Sequence, residues 1–433
     1  MKKVVKLALA MSIVATGTAA LVWALNMRDE VDVKALMAAA APSDSLIARG
    51  AYLARAGNCM ACHTARGGER YAGGRAINTP FGSVFTSNLT PDDKTGIGTW
   101  SSAYFWRALH NGRSKSGRLL YPAFPYINYT QLTREDSDAL FAYLGSLPAV
   151  AQPNRPHALR FPYQSQAALA VWRALYFRPG VYQPDTSRSA EWNRGAYLAK
   201  GLGHCSACHT TRNALGASSQ EMDLAGGLIP MQNWYAPSLI SPHEAGVGEW
   251  DRAHIVSLLK NGVSPRASVT GPMAQVVLSS TQYLSNEDLD AMAQFLKELP
   301  NARQESDLPA TPATPVKAVP SNTATRGAKL YEQHCEQCHG NAGQGVANAY
   351  PALAGNRAVT MKPTANLVQM VLNGGYAPAT EGNPRPFGMP PFVLVLGDSD
   401  VAAVLTHIRT SWGNQASAVT PLEVSRIHAS QAP

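Results

Sequence analysis

All six cysteines of this 433-residue chain lie in three copies of one motif, two cysteines separated by two residues and followed by a histidine. This C-x-x-C-H pattern is the attachment signature of c-type haem. Two thiols one helical turn apart can each add to a haem vinyl group, and the histidine then faces the iron as its proximal ligand. The sequence therefore predicts three covalently bound haem c groups. Their cysteines are Cys59, Cys62, Cys205, Cys208, Cys335 and Cys338, and their proximal ligands are His63, His209 and His339.

Other uses of paired cysteines fit the pattern less well. A thioredoxin-like site would need a βαβ context and would not explain a histidine after each pair. A zinc site would need two C-x-x-C pairs, or one pair with a distant H-x-x-x-H, and neither occurs. Structural disulfides would not require the histidine. We also find no dinucleotide glycine fingerprint, so the sequence offers no substrate site of its own and predicts no catalytic residue.

The chain repeats one unit three times, which makes its domain boundaries readable. Each copy has a lead-in helix that contains Arg-Gly-Ala, with the arginine at Arg49, Arg194 or Arg326, then a helix ending in Asn-Gly, and a closing helix that begins with acidic residues. Thr133 and Ser285 lie three residues before an Asp, which is an acidic variant of the capping box at the start of a helix. Helices around a haem joined by long loops predict an all-α fold of three tandem class I cytochrome c domains. The predicted segments are 1–30 signal anchor or signal peptide, 45–150 domain 1, 151–188 connecting strap, 189–301 domain 2, 302–323 Pro-rich linker, 324–412 domain 3 and 413–433 tail.

The N-terminus predicts export. Lys2, Lys3 and Lys6 precede 21 uncharged residues, 7–27, which as a helix would be about 31 Å long and match a hydrocarbon core of ~30 Å. The lysines stay on the cytoplasmic side, so the rest of the chain is placed outside it. A cleaved signal peptide is the alternative. We favour an uncleaved anchor, because a secretory apolar region is shorter and no small-x-small site ends this one.

The strap contains an apolar helix, Ala167 to Phe177, ended by Pro179-Gly180. It is interpreted either as packing between domains 1 and 2 or as a surface that docks a partner subunit or the membrane. The net charge of +8 does not indicate nucleic acid, because no Lys/Arg run is interleaved with aromatic residues.

A methionine sulfur commonly occupies the second axial position of such a haem. The loop after the Asn-Gly helix end offers Met273 in the second copy and Met389 in the third. In the first copy Phe124 stands at that place, and no methionine occurs between His63 and Val150. The first haem is therefore expected to differ, either lacking a protein sixth ligand or using His110 or, less favoured, His157.

The region 45–412 resembles the triple-haem cytochrome subunit of periplasmic membrane-associated dehydrogenases, which include alcohol, gluconate and molybdenum-hydroxylase (aldehyde or N-heterocycle) systems. The matching segments are 57–64, 72–75, 88–92, 95–98, 202–205 and 271–273. The resemblance implies electron transfer from a catalytic dehydrogenase subunit to ubiquinone or a terminal oxidase, on the periplasmic side of the bacterial inner membrane. Phe124 looks more like the cytochromes that serve molybdopterin hydroxylases, since the alcohol and gluconate types usually have methionine there.

Two other classes of function stay open on the sequence. One is a haem peroxidase that uses an open first haem, against which the phenyl ring of Phe124 on the distal side argues. The other is a gas-binding sensor, for which the sequence shows no output domain. Electron transfer is favoured over both, because the redox chemistry belongs to the cofactor and the protein supplies ligands and orientation.

Overall fold

A computed structural model describes residues 2–30, 32–33, 42–219, 223–300, 321–347 and 349–429. Helices dominate these residues, and nine short strands of two to four residues pair antiparallel in small sheets. The chain divides into two compact units. The first consists of Met1–Asp185, Ala199–His204 and Ala214–Ala217, and the second of Thr186–Leu198, Cys205–Asn213 and Ser218–Pro433.

The first unit holds the first haem motif. Its elements in chain order are α1 Lys2–Asn26, α2 Asp44–Ala56, α3 Cys59–Cys62, β1 Ala76–Thr79, β2 Gly82–Phe85, α4 Ser102–Asn111, α5 Tyr126–Tyr129, α6 Arg134–Gly145, β3 Ala158–Leu159 and α7 Gln166–Tyr176. Strand β2 lies between β1 and β3, so the segment after α6 returns to the haem-motif side of its own repeat. Of the described helices, α1 alone is long and apolar enough to cross a membrane.

Capping residues explain where helices of this unit begin and end. The Thr133 hydroxyl accepts a hydrogen bond from the Asp136 backbone N–H at 3.2 Å and starts α6, as an acidic variant of the capping box predicts. Gly112 ends α4 in the left-handed conformation with φ of 57°. The predicted start of the closing helix and the predicted Asn-Gly helix end are both found.

A close helix crossing fixes the centre of the first unit. At Gly50, α2 lies so near α6 that a Cβ would overlap the carbonyl oxygen of Ala139. Only glycine permits that approach. Beside it, the Arg49 Nε donates to the Asp136 carboxylate at 2.9 Å. In this Arg-Gly pair, the glycine therefore permits the close approach of the two helices and the arginine forms an ion pair beside it.

The second unit holds the other two haem motifs. Its elements are α8 Ala190–Tyr197, α9 Ser206–His209, β4 Gly227–Ile229, β5 Trp234–Ala236, α10 Arg252–Asn261, β6 Val263–Ser264, β7 Ala267–Ser268, α11 Gly271–Ser279, α12 Asn286–Lys297, α13 Ser321–His334, α14 Glu336–His339, α15 Arg357–Thr360, α16 Ala365–Asn373, β8 Gly375–Tyr376, β9 Gly388–Met389, α17 Asp398–Thr410 and α18 Pro421–Ala429. A π-helical turn, Leu198–Leu202, follows α8, and from Ala199 onward its residues belong to the first unit.

The same crossing recurs twice in the second unit. A Cβ at Gly195 in α8 would overlap the carbonyl oxygen of Ala291 in α12, and a Cβ at Gly327 in α13 would overlap that of Ala403 in α17. The preceding arginine again pairs with an aspartate. The Nε–Oδ1 distances are 2.7 Å from Arg194 to Asp288 and 2.6 Å from Arg326 to Asp400. Three copies of one helix crossing thus underlie the sequence repeat.

Two segments flank the third repeat, the predicted Pro-rich linker before it and the predicted tail after it. Residues 301–320, most of the expected Pro-rich linker, lie outside the described residues, and α13 begins at Ser321. Beyond 412, where the sequence indicated only a tail, α18 packs on α17 with Val424 fully buried. The apolar side chains on one face of this helix add to the core of the third repeat.

Candidate functional site

Each motif histidine is oriented by a backbone carbonyl. The Nδ1 atoms of His63, His209 and His339 lie 2.7, 2.6 and 2.9 Å from the carbonyl oxygens of Ser87, Pro237 and Pro351. A carbonyl oxygen only accepts, so Nδ1 must carry the proton and Nε2 keeps its lone pair. This is the arrangement that a metal-ligating histidine requires of its second shell.

Burial keeps these imidazoles neutral. Desolvation lowers the pKa of His63, His209 and His339 below the ordinary 6.5, and the carbonyl hydrogen bond opposes the shift only in part. A neutral imidazole is the form that binds iron. The protonation state and the orientation therefore agree at all three places.

The motif cysteines are free thiols on short helical turns. None of the six forms a disulfide. Burial raises the pKa of Cys59 and Cys205 to about 12 and that of Cys335 to about 11, so these sulfurs carry protons at neutral pH. The turns α3, α9 and α14 keep the cysteines of each motif beside the following histidine. The residues present fit a covalently held haem c at each motif.

The two candidate sulfur ligands lie on different elements. Met273 is in the first turn of α11 and packs against Val269, Ala274 and Val277. Met389 is in β9, where it pairs with Gly375, and its side chain packs on the core of the third repeat. Both methionines are partly buried. Their bonds to iron stay predictions.

In the first repeat, aromatic rings fill the corresponding loop. The Phe124 ring lies 5.3 Å from that of Tyr129. Tyr129 is buried and donates its hydroxyl to the carbonyl of Gly57 at 3.1 Å, two residues before Cys59. Burial, and after it the nearby thiols Cys59 and Cys62, raise its pKa. Sequence reasoning did not identify Tyr129, because one more aromatic residue in an aromatic loop gives no signal.

The two histidines considered as alternative ligands have other partners. His110 is buried on α4, its ring is stacked on Trp106 at 4.6 Å, and its Nδ1 lies 3.0 Å from the carbonyl oxygen of Thr130. His157 accepts the Phe85 backbone N–H at its Nδ1, at 3.2 Å. The proton of His157 is therefore on Nε2, which blocks that nitrogen as a ligand. The Nδ1 of His110 carries the proton for that carbonyl, so its Nε2 has a lone pair, and its ligation stays a prediction.

No further metal cluster was found: no group of three or more His, Cys, Asp or Glu side chains converges in the part of the chain that the structure describes.

Comparison with known proteins agrees with the motifs. The cytochrome c family model matches residues 47–148 and 324–412. Over 400 residues the chain is 38% identical to the cytochrome c subunit of the quinone alcohol dehydrogenase of Gluconacetobacter polyoxogenes, covering 90% of this chain and 85% of that subunit. It is 37% identical to the gluconate 2-dehydrogenase cytochrome c subunit of Pantoea cypripedii, covering 89% and 90%. It is 39% identical over 371 residues to one of the subunits of the nicotinate dehydrogenase of Pseudomonas putida, covering 85% of this chain and 30% of that protein.

Proposed function

The chain belongs to the family of dehydrogenase cytochrome c subunits, and from this premise we propose that it is a triple-haem electron carrier. It takes electrons from the catalytic subunit of a partner dehydrogenase and passes them to ubiquinone or a terminal oxidase. The observation that carries the proposal is the threefold recurrence of one geometry. In each repeat the histidine of the C-x-x-C-H motif donates a hydrogen bond from Nδ1 to a backbone carbonyl, so its Nε2 keeps a lone pair.

The chain's own residues hold and tune the cofactor. A haem c supplies one-electron storage at its iron when bound. The cysteines fix each haem to a short turn, and the carbonyls of Ser87, Pro237 and Pro351 fix the plane of each imidazole. Met273 and Met389 would add a sulfur ligand, which raises the reduction potential. Where Phe124 replaces that methionine, a lower potential is expected for the first haem.

For the partner we favour a molybdopterin hydroxylase. The support is Phe124, which resembles cytochromes of that type more than the alcohol or gluconate types. Overall identity does not separate the candidates, because the alcohol, gluconate and nicotinate dehydrogenase relatives match at 37 to 39%. A quinone alcohol dehydrogenase or a flavin gluconate dehydrogenase is the alternative partner. We place the protein on the periplasmic side of the inner membrane, anchored by residues 7–27.

Purification of the full chain from bacterial membranes tests the proposal. Intact mass is expected to show three covalent haems, and replacing Cys335 and Cys338 by Ala is expected to remove one of them. The co-purifying subunit is expected to contain molybdopterin and to reduce the haems when its substrate is added. Unmodified thiols would contradict the haem assignment. Peroxide turnover without a partner would favour the peroxidase alternative, and a quinoprotein or flavoprotein would correct the partner.

A further inference from the structure

The outer face of α7 is apolar along its whole length. Ala167, Val171 and Leu175 are exposed, Val171 by 48% and Leu175 by 65%. Residues four apart lie on the same side of a helix, so these three side chains form one stripe. The one charged residue of α7, Arg173, is buried. A helix that meets water normally carries polar residues on its outer face, and within the described residues nothing covers this stripe.

The orientation of α7 is set by its buried arginine. Arg173 donates through Nε to the Asn26 amide oxygen at 3.0 Å and through Nη2 to the carbonyl of Asn111 at 2.7 Å. Its guanidinium also lies over the rings of Tyr126 and Phe177 at 5.2 and 4.7 Å. These contacts tie one side of α7 to the interior of the unit, so the stripe must point outward.

Helix α7 packs on the last turn of α1. Most of α1 is exposed, but Val22, Leu25 and Asn26 are partly or fully covered, and the Asn26 amide donates to the carbonyl of Ala170 at 2.9 Å. Val22 and Asn26 are separated by about 6 Å along the helix axis. If α1 spans a bilayer, α7 lies at the level where the hydrocarbon meets the headgroups, the depth of ~5–10 Å at which amphipathic helices bind.

The junction after α1 is rigidly held. The carboxylate of Glu30 lies 2.9 Å from Nε of Arg113, and an Arg113 nitrogen donates to the Asn26 carbonyl at 3.1 Å. Asn111 donates to the carbonyl of Asp29 at 2.9 Å. The direction in which α1 leaves the unit is therefore fixed relative to α7, and a bilayer around α1 would meet the same face each time.

The residues at the two ends of α7 also suit a membrane boundary. Before it, Phe161 is 83% exposed and Tyr163 37% exposed, and after it Arg178 is exposed. Aromatic rings are enriched at membrane–water interfaces, and a cationic side chain can reach anionic headgroups.

We propose that Phe161, Tyr163, Ala167, Val171 and Leu175 form an interfacial face that binds the surface of the bilayer spanned by α1. This proposal rests on the proposed anchor. The lipid is chosen over a protein partner because the face is continuous with α1, the proposed membrane anchor, and because its five side chains are uncharged. The face would hold the unit that contains the first haem motif against the membrane.

Photo-crosslinking of the full, haem-loaded chain tests this. p-Benzoylphenylalanine is placed singly at Val171 or Leu175, and the protein is reconstituted in vesicles of phosphatidylethanolamine and phosphatidylglycerol. Ser146, exposed at the end of α6 in the same unit, is the matched control, and Ile13 within α1 reports on the span itself. After irradiation we expect a mass increase of one phospholipid at Ile13, Val171 and Leu175, and none at Ser146.

The outcomes separate the two proposals. A lipid adduct at Ile13 without one at Val171 or Leu175 overturns the interfacial face and leaves the anchor standing. A cross-link from Leu175 to the catalytic subunit in the purified complex overturns it in favour of a protein partner. Adducts at Leu175 without one at Ile13 support the face and contradict the span, and adducts at neither position contradict both.

Discussion

Met273 and Met389 are the residues at which the sequence makes its most specific claim about iron chemistry. Both are in partly buried positions, where a thioether could serve as packing or as a ligand. Replacing either by alanine is expected to lower the potential of one haem by on the order of 100 mV, since axial ligands set potentials over ~0.8 V. Spectroelectrochemical titration measures this. Met231→Ala is the control, because Met231 is 62% exposed on a loop and is expected to leave all potentials unchanged.

Phe124 is expected to make the first haem distinct. Phe124→Met should supply the missing sulfur, raise the potential of that haem and change its signals in EPR and magnetic circular dichroism. Phe124→Leu, which removes the ring without adding a ligand, is the matched control. If the unaltered protein already gives three equivalent His/Met low-spin spectra, the prediction is wrong.

His110 gives the first unit a pH dependence. Burial lowers its pKa below 6.5, so the folded state resists protonation while the unfolded chain accepts it. Its contribution to stability is therefore complete above about pH 6.5 and is lost as the pH falls below that value, by at most ~1.4 kcal/mol per pH unit. His110→Gln should flatten this part of the stability profile in urea titrations. A changed haem spectrum in the same variant would instead indicate that His110 binds iron.

At the scale of secondary structure elements, the α2–α6 crossing depends on one missing side chain. Gly50→Ala must push α2 away from the Ala139 carbonyl and is expected to cost more than ~2 kcal/mol, in the range of overpacked cores. Gly145→Ala in α6 is the matched control, because a Cβ there meets nothing within 4 Å and the substitution is expected to be neutral or stabilising by ~0.4–1 kcal/mol. Thermal unfolding of the two variants should move in opposite directions or differ by several degrees.

The sequence predicted this crossing only in part. The recurrence of Arg49, Arg194 and Arg326 before glycine identified the lead-in helices, and acidic residues marked the starts of the closing helices. The contact itself could not be predicted, because sequence spacing does not say which carbonyl a glycine will approach. The backbone carbonyls that orient His63, His209 and His339 could not be predicted either, because a residue of any type can supply a backbone acceptor.

At the scale of the whole molecule, residues of the second and third repeats contact each other within the second unit. The Asn366 side chain accepts the Tyr235 backbone N–H at 2.8 Å and donates to the Tyr235 carbonyl at 2.8 Å. Arg357 donates to the carbonyl of Gly246 at 2.7 Å, and Thr380 to that of Asn261 at 3.1 Å. Side-chain to backbone bonds therefore fix the third repeat on the second independently of the linker.

Asn366→Ala is expected to loosen this contact without removing haem. The variant leaves the Tyr235 backbone N–H and carbonyl without their partner, a loss of about 1–3 kcal/mol where such groups stay buried. Amide exchange at Tyr235 should become faster, while intact mass still shows every haem. Gln333→Ala, at an exposed position of α13 in the third repeat, should alter neither measurement. Equal exchange rates in both variants would show that Asn366 does not hold the repeats together, whereas loss of a haem would show that the contact is needed for maturation rather than for docking.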